Sequence, residues 1–434
     1  MTTRKYQFLI IGSGAGGATL ARELAKRGKD VLVVERGQKH GDFGSAKTAR
    51  QFYDLNSFTK MPPVTKDGVI LWRAFLGGGT AVVSAGNGIR CLEHELADLG
   101  ILLEDEFTEA EAEIGILPLD DHLISKGSKK LIEVSAKLGY TTEPMPKFID
   151  PTKCKACSMC TWGCKNDAKW SPLMYLNEAK QDGIDILYDT SVKKVIMENG
   201  NVIGVSGVGS DGPVKILADV TILAAGGIGT PIILQQSGIH KAGKSLFVDL
   251  FVNVYGVTNG LNQIHEPIMA FLIRDFIQCK GFLLSPCVGS VGNGPLIDSG
   301  VKGLKFKGKN ICGLMVKIAD ETSGCVHING TVDKSLTDRD KTRLQAGIKI
   351  ATEILIKAGA KPESIIVSKP QGAHPGGTAA IGEVVDNNLR TDLNNLYVCD
   401  ASVLPKAPGL PPILTIVALA KRLAKTLTSK PEIN

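Results

Sequence analysis

The 434-residue chain reads as an α/β protein. Its expected parts are a Rossmann-like doubly wound domain built from separated segments, a smaller sheet-based (α+β) domain and a cysteine-bearing loop. Three observations predict this. A strand–glycine–helix–strand unit opens the chain at Tyr6–Glu35. A second strand-to-glycine-to-helix unit runs from Asp219 to Ile239. From about residue 240 to 370 the texture changes to alternating and apolar runs without a nucleotide motif. The domain organisation that follows is 1–146, 173–239 and 371–434 for the doubly wound domain, 147–172 for the cysteine loop and 240–370 for the second domain.

Tyr6–Ile11 is wholly apolar, as a parallel strand buried on both faces must be. It enters Gly12-Ser13-Gly14-Ala15-Gly16-Gly17, with G-x-G-x-x-G spacing. Gly12 allows the tight turn, Gly14 lets backbone approach a pyrophosphate, and Gly17 lets helix and strand pack closely. The helical pattern that follows closes at Gly28. Its N-terminus presents unpaired N–H groups and a positive dipole end to the phosphates. Val31–Val34 is the next strand and ends in Glu35, 18 residues past Gly17, where a carboxylate accepts ribose hydroxyls. That acid favours an adenosine without a 2′-phosphate, so FAD or NAD rather than NADP.

Leu76–Gly88 contains Gly77, Gly78 and Gly79 in a row and then small residues, which suits backbone lying against a planar ligand. Glu93–Glu113 is acidic and partly helical, and Leu123–Gly139 is an amphipathic helix ended by glycine. Trp170–Ala179 is helical. Ile184–Tyr188, Val192–Met197 and Val202–Val208 read as strands of a small antiparallel meander. Asp219–Ala225 is a buried strand leading into Gly226–Pro231. In the second domain Phe247–Tyr255 alternates. Pro267–Ile277 and Gly281–Val288 are apolar and either line a substrate cavity or form core. Lys309–Lys317 and Gly324–Asn329 read as strands, and Asp338–Gly359 as a long amphipathic helix. The chain closes with a loop around a lone His374, a strand ending in Asp400, a rigid turn at Pro408–Pro412 and the helix Ile413–Leu427.

Lys and Arg number 50 against 44 Asp and Glu, and only 5% of residues are aromatic. The cations are scattered among acids, which argues against nucleic-acid binding. Met1–Lys5 is polar, with no secretory pattern, and no run of 18 uncharged apolar residues exists. A cytoplasmic protein without a transmembrane segment is expected. Six cysteines (Cys91, Cys279, Cys287, Cys312, Cys325, Cys399) are dispersed and read as small buried hydrophobes.

The other four, Cys154, Cys157, Cys160 and Cys164, are spaced C-x2-C-x2-C-x3-C. This is the bacterial ferredoxin run, whose thiolates wrap a 4Fe–4S cluster, although Lys165 stands where proline usually follows. Without a second run, either Cys164 or a cysteine from elsewhere completes the ligand set. A structural zinc usually draws on two separated C-x2-C pairs, and disulfides are disfavoured in a reducing compartment. Lys147, Lys153, Lys155, Lys165 and Lys169 surround the run against Asp150 and Asp167, a patch suited to an acidic redox carrier.

These segments together resemble the glucose–methanol–choline (GMC) flavin oxidoreductases. The resemblance rests on Gly12–Gly17 with Glu35, Leu76–Asn87, Gly226–Pro231 with Ser237-Gly238, His374 with Gly377-Thr378, Asp400-Ala401-Ser402 and Thr415–Ala420. It implies FAD, with a second sheet-based domain over the isoalloxazine ring. It places Gly12, Gly14, Ala15, Gly16, Gly17, Glu35 and Arg36 along the adenosine and pyrophosphate. Gly78, Gly79, Thr80, Ser84 and Asn87 would lie beside the flavin, and Val192 by the adenine. Ala225, Gly226, Asp400, Pro412 and Ile413 would border the rest of the cofactor. His374 matches the active-site histidine, a plausible general base because the unperturbed imidazole pKa is about 6.5. The family commonly adds an asparagine or histidine partner near the last helix. Leu410-Pro411-Pro412 has no such side chain here. The cysteine run resembles one in some prokaryotic members.

The expected function is an FAD- and 4Fe–4S-dependent oxidoreductase. It would pass a hydride between FAD and a small organic substrate, an alcohol or an activated double bond. Single electrons would go to or come from a carrier such as a ferredoxin or quinone, in either direction. The alternatives are a non-catalytic flavin/iron–sulfur electron-transfer subunit and a flavin oxidase with a structural zinc.

Overall fold

The computed structural model describes residues 4–57, 61–289, 295, 299–306 and 310–429. Its first layer is a seven-stranded sheet in the order Asp185–Leu187, Val31–Val34, Lys5–Ile11, Gly212–Leu223, Asn201–Gly209, Ser191–Glu198, with Leu396–Val398 also on Gly212–Leu223. The strand Gly212–Leu223 explains the branching. Its first half pairs antiparallel with Asn201–Gly209, which in turn pairs with Ser191–Glu198 to form a meander, whereas the strand expected at Ile184–Tyr188 spans Asp185–Leu187 and runs parallel beside Val31–Val34 at the other edge. Its last residues run parallel between Lys5–Ile11 and Leu396–Val398. Leu9, Ile10, Val33, Ile222 and Leu223 are buried to 1% exposure or less, as strands covered on both faces require. Helices Ala15–Ala25, Pro172–Gln181 and Ile413–Ser429 pack in this part of the molecule.

The second layer is an eight-stranded sheet, ordered Ile70–Leu71, Gln371–Gly372, Leu250–Val257, Ile311–Ile318, Phe282–Pro286, Phe271–Ile273, Thr142–Pro144, with Ile366–Val367 also on Leu250–Val257. Strand alternation sorts its faces. Leu250, Val252, Val254, Leu314, Val316 and Ile318 join one apolar cluster with Leu344, Ala351, Ile354 and Leu355 of the helix Asp338–Lys357. The opposite-parity residues Phe251, Asn253, Met315 and Lys317 face a cavity. The helix starts on a capping box at Thr337 and Asp340.

The sequence-predicted elements recur with shifted ends. The strand expected from Lys309 spans Ile311–Ile318, and Lys309 itself lies outside the described residues, as do Met1–Thr3. Gly324–Asn329 reduces to Cys325–Val326. Pro267–Ile277 holds the strand Phe271–Ile273 and the start of the helix Asp275–Lys280. Ile70–Leu71 and Thr142–Pro144 pair in the second sheet although both precede residue 146. Of the six dispersed cysteines only Cys91, Cys312 and Cys399 are buried; Cys287 and Cys325 are half-buried, and Cys279 is exposed, its thiol donating to the Asp275 carbonyl. Among the described residues no helix is long and apolar enough to cross a membrane.

Candidate active site

A cavity of about 920 Å³ is lined from both layers. At its nucleotide end, Gly12 turns with φ +106°, and a Cβ there would strike the Ala224 carbonyl. A Cβ on Gly14 meets nothing within 4 Å, leaving an open approach at the start of the helix Ala15–Ala25, which has no side-chain cap. Gly16 presses on the Cys399 carbonyl and Gly17 on the Gly12 carbonyl. Glu35 accepts Ser13 N at 2.9 Å and Ser13 Oγ at 2.6 Å on one oxygen, and Gly37 N at 2.7 Å on the other. Two carboxylate oxygens offer about four acceptor positions, so capacity remains for a ribose hydroxyl. Arg36 lies 3.7 Å over the Phe75 ring. These features fit the adenosine and pyrophosphate of FAD.

The structure brings Gly12, Gly14, Ala15, Gly16, Glu35 and Arg36 onto this one cavity. Gly79, Thr80, Ser84, Asn87 and Val192 join them, as do Ala225, Gly226, Asp400, Pro412, Ile413 and His374. Gly17 and Gly78 do not reach the lining. Gly17 is spent on helix–strand packing, and Gly78 N donates to Ser13 Oγ at 2.9 Å beneath the surface. Asp400 accepts Gly226 N at 2.8 Å, Thr230 Oγ1 at 2.5 Å and Ser402 N at 2.7 Å, so it fastens the start of the second glycine helix to the C-terminal segment. Burial pushes its carboxyl up.

At the far end Lys317 lines the cavity and Asp249 lies buried beside it, and no sequence motif marks either. His374 Nδ1 lies 2.9 Å from Asp249 Oδ2 and 2.7 Å from Lys317 Nζ. Lys317 Nζ is 3.0 Å from the same Asp249 oxygen, and both charged side chains are at most 3% exposed. Burial and the Lys317 ammonium depress the His374 imidazole below its usual pKa, against the pull of Asp249. Burial pushes Asp249 up, but Lys317 and His374 outweigh it and keep it ionised. Burial also draws Lys317 down. We read the pair as ionic, because Asp249 meets Lys317 Nζ, His374 Nδ1 and Gly409 N and needs no proton of its own. Among the described residues His374 Nε2 has no protein partner. Phe251, Ile268, Met269 and Met315 give this end an apolar wall.

Cys154, Cys157, Cys160 and Cys164 line a second, small cavity. Positive φ at Ala156, Ser158 and Asp167 curls the chain around it. Burial pushes the Cys154 thiol up. Among the described residues, the one group of three metal-ligating side chains with atoms within 4.8 Å of one another is Glu23, Glu109 and Glu113. Lys421 fills that group, with ion pairs of 2.8–3.3 Å.

The basic patch needs correction. Lys147 and Lys169 are 1% and 5% exposed and point inward. Lys169 Nζ donates to Val82 O, Ser84 O and Cys160 O at 2.6–2.9 Å. Lys147 Nζ donates to Ala85 O, Asn87 Oδ1 and Ile268 O at 2.5–3.0 Å. Burial draws Lys147 down to about 7 and Lys169 to about 8. Two buried lysine side chains thus tie Val82–Asn87 to the cysteine loop and the substrate-side wall.

A doubly wound dinucleotide domain with a second sheet and a loop histidine at the same cavity defines a class, the two-domain flavin oxidoreductases. The chain belongs to the GMC oxidoreductase family: residues 6–251 match its N-terminal model and residues 320–420 its C-terminal model. It is therefore an FAD-dependent oxidoreductase. Protein MJ1450 of Methanocaldococcus jannaschii, described as uncharacterized, is 34% identical over 426 residues, 97% of this chain and 100% of that one. Long-chain-alcohol oxidase FAO3 of Arabidopsis thaliana is 25% identical over 522 residues, 98% of this chain and 68% of the relative. Among solved structures, pyridoxine 4-oxidase from Mesorbium loti superposes with a TM-score of 0.77 at 16% identity, covering 99% of this chain and 100% of that one. That likeness is one of fold.

Proposed function

We propose that this enzyme acts on CH–OH donors, that His374 moves the substrate hydroxyl proton, and that the cysteine loop carries a 4Fe–4S cluster exchanging electrons with a ferredoxin or quinone. The single observation that carries the catalytic reading is the position of His374: its Nδ1 is held by buried charges while Nε2 is free toward the cavity the nucleotide-binding residues line. The alcohol class has support from the family and from the name of the plant relative.

FAD, when bound, supplies the hydride acceptor. The chain's own residues do the rest. His374 Nε2 takes the hydroxyl proton in oxidation, and returns it in the reverse direction. Phe251, Ile268, Met269 and Met315 bind the carbon skeleton and exclude water. The Gly12–Gly17 turn, Glu35 and Asp400 hold the cofactor's position.

Support for the cluster comes from four thiols on one small cavity within a ferredoxin spacing. A structural zinc usually draws on two separated C-x2-C pairs, a spacing this run does not have. A single chain-borne cluster would let a two-electron flavin serve a one-electron carrier, in keeping with a cytoplasmic setting.

Anaerobic titration of the holoenzyme with primary and secondary alcohols of increasing chain length tests the catalytic reading. Bleaching of the flavin by an alcohol is the expected result. If no alcohol bleaches it while a reduced carrier protein does, the chain is an electron-transfer subunit.

A further inference from the structure

His374 lacks the polar partner its family commonly places near the last helix, because Leu410-Pro411-Pro412 supplies none. The same turn contributes through its backbone instead: Gly409 N donates to Asp249 Oδ1 at 2.9 Å. Asp249 Oδ2 then meets both His374 Nδ1 and Lys317 Nζ. We propose that Asp249 and Lys317 are a positioning pair for His374. They fix the imidazole with Nε2 toward the cavity and set the charge it sees, in place of a polar side chain from the turn. The inference rests on the reading of His374 as the proton-handling group.

Three features support it. Lys317 sits on the cavity-facing side of a sheet whose other face is apolar against a helix, and Asp249 is fully buried beside it. A buried ion pair is seldom the most stable filling for such a wall, since apolar residues of similar volume often do as well or better. Asp249 also holds φ +52°, a left-handed backbone that surrounding structure must sustain. Retaining two buried charges and a strained residue around one imidazole nitrogen follows if they serve that imidazole.

The charges facing His374 come from two strands. Lys317 lies near the end of Ile311–Ile318, and Asp249 immediately precedes Leu250–Val257. Behind Lys317 stand Cys91 and Asp320. Asp320 is itself paired with buried Lys334 at 2.7 Å. Lys317 opposes protonation of the imidazole, whereas Asp249 favours it, so removing them must act in opposite directions.

The test is an NMR titration of holoenzyme carrying 13C-labelled histidine, with the His374 signal assigned by its loss in His374→Gln. In Lys317→Met the His374 pKa should rise, in Asp249→Asn it should fall, and in Lys317→Arg it should stay near the parent value. No movement in either charge-removing variant, or movement of both in the same direction, overturns the proposal. If Lys317→Met does not fold, Asp249→Asn must still lower the pKa for the proposal to stand. Alcohol-driven flavin bleaching in His374→Gln tests the underlying reading separately. An unchanged bleaching rate there removes the proton-handling role without altering the titration result.

Discussion

Gly14 and Gly16 stand two residues apart and do different work. A methyl on Gly14 points into open space at the phosphate end of the cavity, whereas one on Gly16 runs into the Cys399 carbonyl. Gly14→Ala should therefore leave thermal stability near wild type and weaken FAD binding tenfold or more, about 1.4 kcal/mol, measured by flavin release on dilution. Gly16→Ala should lower the stability of the apoprotein by about 1–3 kcal/mol, the usual range for forcing atoms into a packed site, and calorimetry reads it. Equal effects on both properties would contradict this division of labour. At the other end, His374→Ala should keep folding and flavin content but slow alcohol-driven flavin reduction by ~10²–10⁴-fold, the range for losing a general acid or base. A change under about threefold in anaerobic stopped flow would make the histidine structural. The glycines and Glu35 were legible because they sit in a local pattern with a mechanism, whereas His374, a lone histidine in a loop, was singled out only by its resemblance to the family's active-site histidine. Asp249 and Lys317 were not legible, because strand residues that meet across a sheet carry no signature in linear sequence.

The segment Val82–Asn87 contributes to the cavity wall, and two buried lysines tie it to Cys160 and Ile268. Their backbone acceptors, Val82, Ser84 and Cys160 for Lys169 and Ala85 and Ile268 for Lys147, come from elements far apart in the chain. Charged hydrogen bonds contribute about 1.5–3 kcal/mol each, and buried acceptors left without donors add a penalty. Lys169→Met should thus loosen both ends together: hydrogen exchange should rise at residues 82–88 and 158–164, with the rest of the first sheet unchanged. If only one of the two segments responds, the lysine is a local brace. Sequence reasoning counted Lys147 and Lys169 among surface cations, since a lysine beside a charged loop is ordinarily solvated. Their burial is set by segments distant in the chain, Val82–Asn87 and Ile268, and leaves no local trace. The same limit hid Ile70–Leu71 and Thr142–Pro144, which are too short to show a period yet extend the second sheet. Long elements such as Asp338–Lys357 were readable because twenty residues carry both an apolar stripe and a capping box.

Across the molecule, Lys317 lies on a strand of the second sheet and His374 in the loop after Gln371–Gly372, the cavity is lined from both layers, and the cysteine loop reaches it through Thr161 and Trp162. On the proposed reading, substrate is handled at His374 and single electrons are exchanged at the thiols. The exposed charges near the thiols are Lys153, Lys155 and Lys165 against Asp167 and half-buried Asp150, and Lys153 lies 3.5 Å from Asp150. That near-balance predicts only a shallow loss of carrier rate with rising salt, unlike the steep dependence of a strongly charged docking face. The layout itself is tested at Cys160. Serine there keeps the backbone carbonyl that Lys169 requires and removes one thiolate. Cys160→Ser should lower iron and sulfide content, leave alcohol-driven flavin reduction in a single turnover near the parent rate, and abolish turnover coupled to a ferredoxin or quinone. A variant without cluster iron that still turns over with the carrier at the parent rate would make the thiols structural, and electrons would then leave the flavin directly through the cavity mouth.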